Sequence, residues 1–243
     1  MNRIRKEYIL LACVITAAAA LRFWGIGFGL PFTLHSDEPI VVNHAVAYGS
    51  GDLNPHFFII PPLCSYILFA CYGLFFLAGK LFGIFGSTGD LAMLFFSDPT
   101  SFYLIARTVL GILPGTLCAW GVYSLYKRLF PEAGGALYAS VIVAVSFLAV
   151  VNSHYAYVDN MMLLAVLATC ISAIRMTRRP TPGSYIMTGC LLGLSVSVKY
   201  NAGLLVLPLL IAHINVSAGS GRGPGRVRLD GRWWMAAGAS AGA

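Results

Sequence analysis

With 243 residues, 58% of them hydrophobic and only 10% charged, and a mean hydropathy of +0.78, the chain is too apolar for an ordinary soluble domain. The net charge of +7 needs no nucleic-acid-binding stripe to explain it, because the basic residues gather in short clusters beside apolar runs. Cys13, Cys64, Cys71, Cys118, Cys170 and Cys190 all lie inside those runs without CxxC or Cys/His spacing, which reads as small core hydrophobes. The composition predicts an all-α, multispanning membrane protein.

Along the chain, Arg3, Arg5 and Lys6 precede an apolar run over 8–30. A cleaved signal peptide ending near Ala18-Ala19-Ala20 is one reading of it. An uncleaved anchor is preferred because hydrophobicity resumes after Arg22, and either way the loop that follows lies outside the cytoplasm. That loop, over about 31–100, opens with His35-Ser36-Asp37-Glu38-Pro39 and goes on to His44, Asp52 and His56 before the next apolar run. Proline suits the first turn of a helix and glycine its end, so a short amphipathic helix is predicted from Asp37-Glu38 to Gly49, with both acids at its positive end.

Further apolar runs cover 57–82, 102–126, 134–152, 160–174 and 185–214, the last interrupted by Lys199. A seventh starts at Trp233 and stops at Ala243, short of the roughly 20 residues that a span requires. The chain therefore reads as the N-terminal part of a longer protein, with 1–243 forming part of a single transmembrane domain. If every earlier run crossed once, Lys127-Arg128 and Arg175, Arg178 and Arg179 would lie outside, against the positive-inside tendency. The repair is a run over 57–82 that returns to its own side or lies along the interface, and a last run that splits at Lys199 into two short spans. Pro61-Pro62 and Gly73, Gly79, Gly83 and Gly86 suit a broken, non-spanning element there. Two spans of about 15 residues each would leave a water-accessible depression on the outer side, lined by Asp159 and Lys199. The Gly-rich stretch 218–225 lacks a P-loop ending and reads as part of a flexible cytoplasmic linker over about 217–232. The glycosylation pattern Asn215-Val216-Ser217 falls on the cytoplasmic side and is expected to be inert. No internal repeat is visible, which weighs against an inverted-repeat transporter.

Ionisable groups at membrane depth are costly and most often functional, which singles out Asp37, Glu38, Arg107, Asp159 and Lys199. Each also has a plainer reading. The two loop acids and Asp159 could cap helices, Lys199 could snorkel at a turn, and Arg107 could be a structural partner of an outer carboxylate. His35, His44, His56 and His154 could join the acids around a metal, but no HxH or HExxH spacing supports this; no metal site is assigned, and a divalent ion stays open. A carboxylate facing a Lys or Arg in an outward cavity has the parts for displacement at a phosphorylated centre. The carboxylate can take the acceptor's proton while the cation holds the charge that grows on the phosphate. With no phosphate loop for a nucleotide, the substrate is expected to arrive through the lipid.

Five features carry a resemblance, in order: Leu21-Arg22-Phe23-Trp24 leading to His35-Ser36-Asp37-Glu38-Pro39; Gly51-Asp52-Leu53-Asn54-Pro55-His56 followed by Pro61-Pro62-Leu63; Arg107 opening a helix that ends Lys127-Arg128-Leu129-Phe130; Ser153-His154-Tyr155 with Asp159; and Gly193-Leu194 leading to Val198-Lys199-Tyr200-Asn201-Ala202-Gly203. The chain resembles the GT-C membrane glycosyltransferases. It is nearest to the family 39 enzymes, which include the dolichyl-phosphate-mannose protein mannosyltransferases and the bacterial lipid A aminoarabinose transferase. The resemblance implies a helical GT-C bundle with short interfacial helices in its first external loop. It implies a hexosyl- or pentosyltransferase that moves a sugar, with inversion, from a polyprenyl- or dolichyl-phosphate donor. The acceptor, a protein, lipid or glycan, would lie on the non-cytoplasmic side of a bacterial cytoplasmic (inner) membrane. In the same terms Asp37 is the base, Glu38 its neighbour, Asp159 a second cavity carboxylate and Lys199 a phosphate contact, with Arg107, His56, His154 and Tyr155 completing the substrate-binding set. The chain departs from the aminoarabinose transferases at Pro61, where they carry a lysine ahead of the proline. The rival expectation is a transporter or flippase that holds a lipid-linked or anionic solute in the same cavity without chemistry.

Overall fold

The computed structural model describes residues 2–219, so most of the expected linker and the run from Trp233 lie outside the described residues. Among the described residues every regular element is helical: α1 (Asn2–Phe23), α2 (Glu38–Ala47) with a 3-10 turn Tyr48–Ser50, α3 (Leu63–Leu81), α4 (Thr88–Ser97) and α5 (Thr100–Ala106). A π-helical turn, Arg107–Ile112, joins α5 to α6 (Leu113–Leu129), and α7 (Ala136–Val145), α8 (Phe147–Asn152), α9 (Asp159–Arg178) and α10 (Pro182–Val198) follow. A 3-10 segment, Tyr200–Leu205, then leads into α11 (Val206–Gly219), which reaches past the predicted start of the linker. Leu63–Leu81, Thr100–Leu129 and Asp159–Arg178 are each long and apolar enough to cross a membrane. The protein is an all-α membrane protein.

Small residues let the helices of the bundle approach each other closely. Ala18, Ala119 and Ala144 meet where α1, α6 and α7 cross, and Gly121 of α6 lies against Leu167 of α9. Hydroxyls stitch α9 to α10, through Thr169 with Ser195 at 3.1 Å and Ser172 with Thr188 at 2.8 Å. On α10 and α11, Tyr185 meets His213 at 2.9 Å. The two ends of the bundle differ in charge. At one end Lys127 pairs with Glu7 at 2.6 Å and Arg178 donates to the carbonyl of Arg128, which gathers the basic ends of α1, α6 and α9. At the other lie Asp37, Glu38, Asp159 and Lys199, around a core of Val41, Val42, Cys64, Leu68, Tyr72, Phe102, Leu110, Val158 and Val198.

Two expectations are corrected. The run over 57–82 is not a broken element: α3 is one continuous helix of 19 residues. Pro61-Pro62 stands in front of it, where missing amide donors cost nothing, and Gly79 inside it is filled by Phe85, whose ring comes within 2.2 Å of where a Cβ would stand. The buried face of α3, through Cys64, Leu68 and Tyr72, packs into the core at the Asp37–Lys199 end. The run over 134–152, in turn, is two helices. Ser146 takes an extended ψ of 120° and ends α7 before α8 begins.

Candidate active site

The stretch before α2 forms as the proline and acids foretell, but the two acids part ways. Asp37 stands at the N-cap of α2 without a side-chain capping bond, half-buried, and accepts from the Ser36 hydroxyl at 3.1 Å. Its backbone amide donates to His35 Nδ1 at 3.2 Å, which fixes Nδ1 as an acceptor and leaves Nε2 to carry the imidazole proton. Among the described residues Asp37 has no ion-pair partner.

Glu38, one residue on, is fully buried. Arg107 grips it with both ends of its guanidinium, Nε to Oε1 at 2.8 Å and Nη2 to Oε2 at 2.9 Å, and the amide of Ala156 donates to Oε1 at 2.8 Å. Arg107 Nη1 donates to the carbonyls of Ile26 and Phe28 at 2.7 and 2.8 Å. Paired in this bidentate way, two buried charges satisfy each other and tie the loop before α2 to α5 and to the 153–158 segment. The π turn that starts at Arg107 is a wide turn of the kind often found at functional sites.

Asp159 opens α9 without capping it; its carboxylate takes the Lys199 ammonium at 2.6 Å. Lys199 stands in the turn where α10 ends, and its nitrogen lies 5.2 Å from the centre of the Tyr157 ring. Burial works to lower the Lys199 pKa, but the hydrogen bond and charge of Asp159, with Tyr157 and Asp37 adding to them, raise it above its ordinary value. Burial pushes the Tyr157 phenol up as well, and Asp37 and Lys199 both act on it. His35 packs on Tyr155 with ring centres 4.6 Å apart and lies 6.0 Å from Tyr157. Asp37, Asp159, Lys199, His35, Tyr155 and Tyr157 thus share one neighbourhood.

The other expected residues lie around it. His154 is partly buried, with Nε2 enclosed and unbonded. His56 is exposed on the loop and pairs with Asp52 at 2.8 Å. That loop closes over α3 and the 3-10 segment through Tyr66 to the Leu53 carbonyl at 2.9 Å and Tyr200 to the Phe58 carbonyl at 3.0 Å. Among the described residues no three of His, Cys, Asp and Glu converge, so a divalent ion would need ligands from substrate or water as well. Sequence reasoning passed over Tyr157 and weighed His35 only as a metal ligand, not as a wall of the site. The recurrence Tyr155, Tyr157, Asp159 just ahead of and opening α9 was the signal available for Tyr157.

What the neighbourhood offers is a free carboxylate, a carboxylate-held ammonium and an aromatic wall, all at the end of the bundle away from the basic clusters. No curated protein and no solved structure matches the chain. The family model described as dolichyl-phosphate-mannose-protein mannosyltransferase matches residues 93–222, from α4 through the Asp159–Lys199 pair and beyond α11. That match spans more than half of the chain, and the chain belongs to this family of membrane glycosyltransferases.

Proposed function

We propose that this chain carries the active site of an inverting glycosyltransferase that takes a hexose or pentose from a polyprenyl- or dolichyl-phosphate donor. The acceptor hydroxyl attacks the anomeric carbon and gives its proton to Asp37; the bond between that carbon and the phosphate oxygen breaks, and the electron pair leaves with the lipid phosphate. Lys199, held by Asp159, meets the negative charge that grows there. His35, Tyr155 and Tyr157 wall the sugar. His154 and the His56 loop stand where the acceptor would approach. Glu38 and Arg107, consumed by each other, act by holding Asp37 and the 153–158 segment in place. The basic ends of α1, α6 and α9 face the cytoplasm on this reading, so the site opens outward, in bacteria from the inner membrane, and the acceptor is a protein, lipid or glycan on that side. Residues 31–100 form the external loop of a single GT-C domain, with α3 and α4 resting at the outer interface.

The observation that carries the reading is the pair of unlike carboxylates. Asp159 is bound to a cation beside Tyr157, while Asp37, close enough to act on both Lys199 and Tyr157, has no ion-pair partner among the described residues. A transporter needs no free base at that point. In the full-length protein Asp37→Asn is therefore expected to remove turnover while donor binding stays within about two-fold, the signature of an interaction made only in the transition state. Parallel loss of binding and solute flux, with no glycosylated product formed by the wild type, would favour the transporter.

A further inference from the structure

Arg22 has no part in the site described above, yet it is the largest fully buried charged side chain next to Arg107. No carboxylate is paired with it among the described residues. Its Nη1 donates to the carbonyls of Ala18 and Ala144 at 3.0 and 2.9 Å, its Nη2 to that of Val143 at 3.1 Å, and its Nε to the Ser153 hydroxyl at 3.1 Å. Val143 and Ala144 belong to the last turn of α7, whose carbonyls lose their helical partners because the chain turns out at Ser146. A guanidinium there supplies the missing donors and meets the negative end of the helix. Arg22 thereby pins the break that lets the chain climb to the active-site segment.

Ser153, also fully buried, is where this anchor meets that segment. Its hydroxyl donates to the Ala149 carbonyl at 2.7 Å and accepts from Arg22 Nε at 3.1 Å and Asn160 Nδ2 at 3.0 Å. One donor and two acceptor sites are the whole capacity of a hydroxyl, so Ser153 has nothing left for substrate. Asn160 Nδ2 also donates to the Gly111 carbonyl at 3.3 Å, on the π turn that carries Arg107. Asn160 is the neighbour of Asp159. Helix α6 leaves the knot no slack, since a Cβ at Gly115 would stand 2.5 Å from the Ser153 hydroxyl and 3.1 Å from Arg22 Nε.

We propose that Arg22, Ser153 and Asn160 form a buried positioning device that fixes the start of α9, and with it Asp159, against Lys199. The device rests on the reading of Asp159 and Lys199 as parts of the active site. The Glu38–Arg107 pair holds the same segment through the Ala156 amide, so the stretch carrying Tyr155 and Tyr157 is tied at Ser153, Ala156 and Asn160. None of its three members touches the reacting atoms.

The test compares Ser153→Ala, Asn160→Ala, the double variant and Arg22→Lys in full-length protein in membranes, with Asp37→Asn beside them. Saturation binding of polyprenyl-phosphate mannose labelled in the sugar counts folded sites, and transfer of the label gives turnover per site. Each single change is expected to lower kcat per folded site on the order of ten-fold or more with KM within about two-fold, because the donor still binds while the carboxylate and its cation are misplaced. The double variant is expected to be no worse than the poorer single one, since both break the same knot. Ser153→Cys, whose thiol is a weaker donor and acceptor, is expected to fall between the wild type and Ser153→Ala, and it stands in should the alanine variant not fold. Wild-type kcat per folded site in these variants, with only the amount of folded protein reduced, or fully additive losses in the double variant, would overturn the proposal. If Asp37→Asn is inactive while Ser153→Ala is not, the positioning device alone has failed. If Asp37→Asn turns over like the wild type, the functional reading has failed and the device falls with it.

Discussion

At the scale of single residues, adjacent acids have been given opposite fates by what surrounds them. Glu38 is enclosed with Arg107, and removing one partner leaves a buried charge with no counterpart. Arg107→Ala is accordingly expected to destabilise the protein by roughly 3–5 kcal/mol, measurable as a lowered midpoint of unfolding in detergent. Asp37 keeps its freedom, and Lys199 gives the pH dependence. A lysine whose folded pKa is raised contributes its pairing in full below the unfolded value and loses it as pH rises through the folded one. Donor binding is expected to hold constant through neutral and mildly alkaline pH and to weaken only beyond the ordinary lysine range. Lys199→Arg should retain that binding and Lys199→Ala should weaken it at every pH. Charged residues within and between the apolar runs were the legible part of the site, because so few of them exist. That Arg107 would choose Glu38, 69 positions away, and leave Asp37 free depends on a contact that no local pattern encodes.

At the scale of elements, the runs and their punctuation were readable in advance: proline in the first turn of α2, the stop at Lys199, the basic ends of α6 and α9. Three features were not. The stop at Ser146, the π turn after Arg107 and the continuity of α3 all depend on what packs alongside, as glycine and proline signals do not distinguish a break from a close approach. Gly111 is the clearest case, for a Cβ there would lie 2.3 Å from the Ser153 carbonyl oxygen and 3.1 Å from that of Tyr155. Backbone cannot step aside as a side chain can. Gly111→Ala is expected to push the 153–155 segment off the π turn and cut kcat by about a hundred-fold. Gly121→Ala, farther along on α6, should be nearly silent, because its nearest neighbour, at 3.0 Å, is the tip of the Leu167 side chain. Equal loss in the two variants would show that the helical stretch 107–129 tolerates no added bulk anywhere and that the seat at Gly111 has no special part.

At the scale of the whole molecule, the bundle separates its charges, with basic ends on one side and the carboxylate–lysine cluster on the other, and this polarity gives the helical membrane protein two unlike ends. The sequence already carried that polarity in its clusters of Lys and Arg. What it lacked was the buried knot in which Arg22 of α1 meets Ser153 and Asn160, more than a hundred positions along the chain. The central claim is that the outer cluster transfers a sugar from a lipid phosphate. The direct measurement is the fate of label when full-length protein in sealed vesicles meets polyprenyl-phosphate sugars labelled in the sugar. Label moving onto a non-phosphate acceptor with the wild type, and staying on the lipid with Asp37→Asn, is the expected result. Label that stays on the lipid with both proteins, or moves equally well with both, would contradict it.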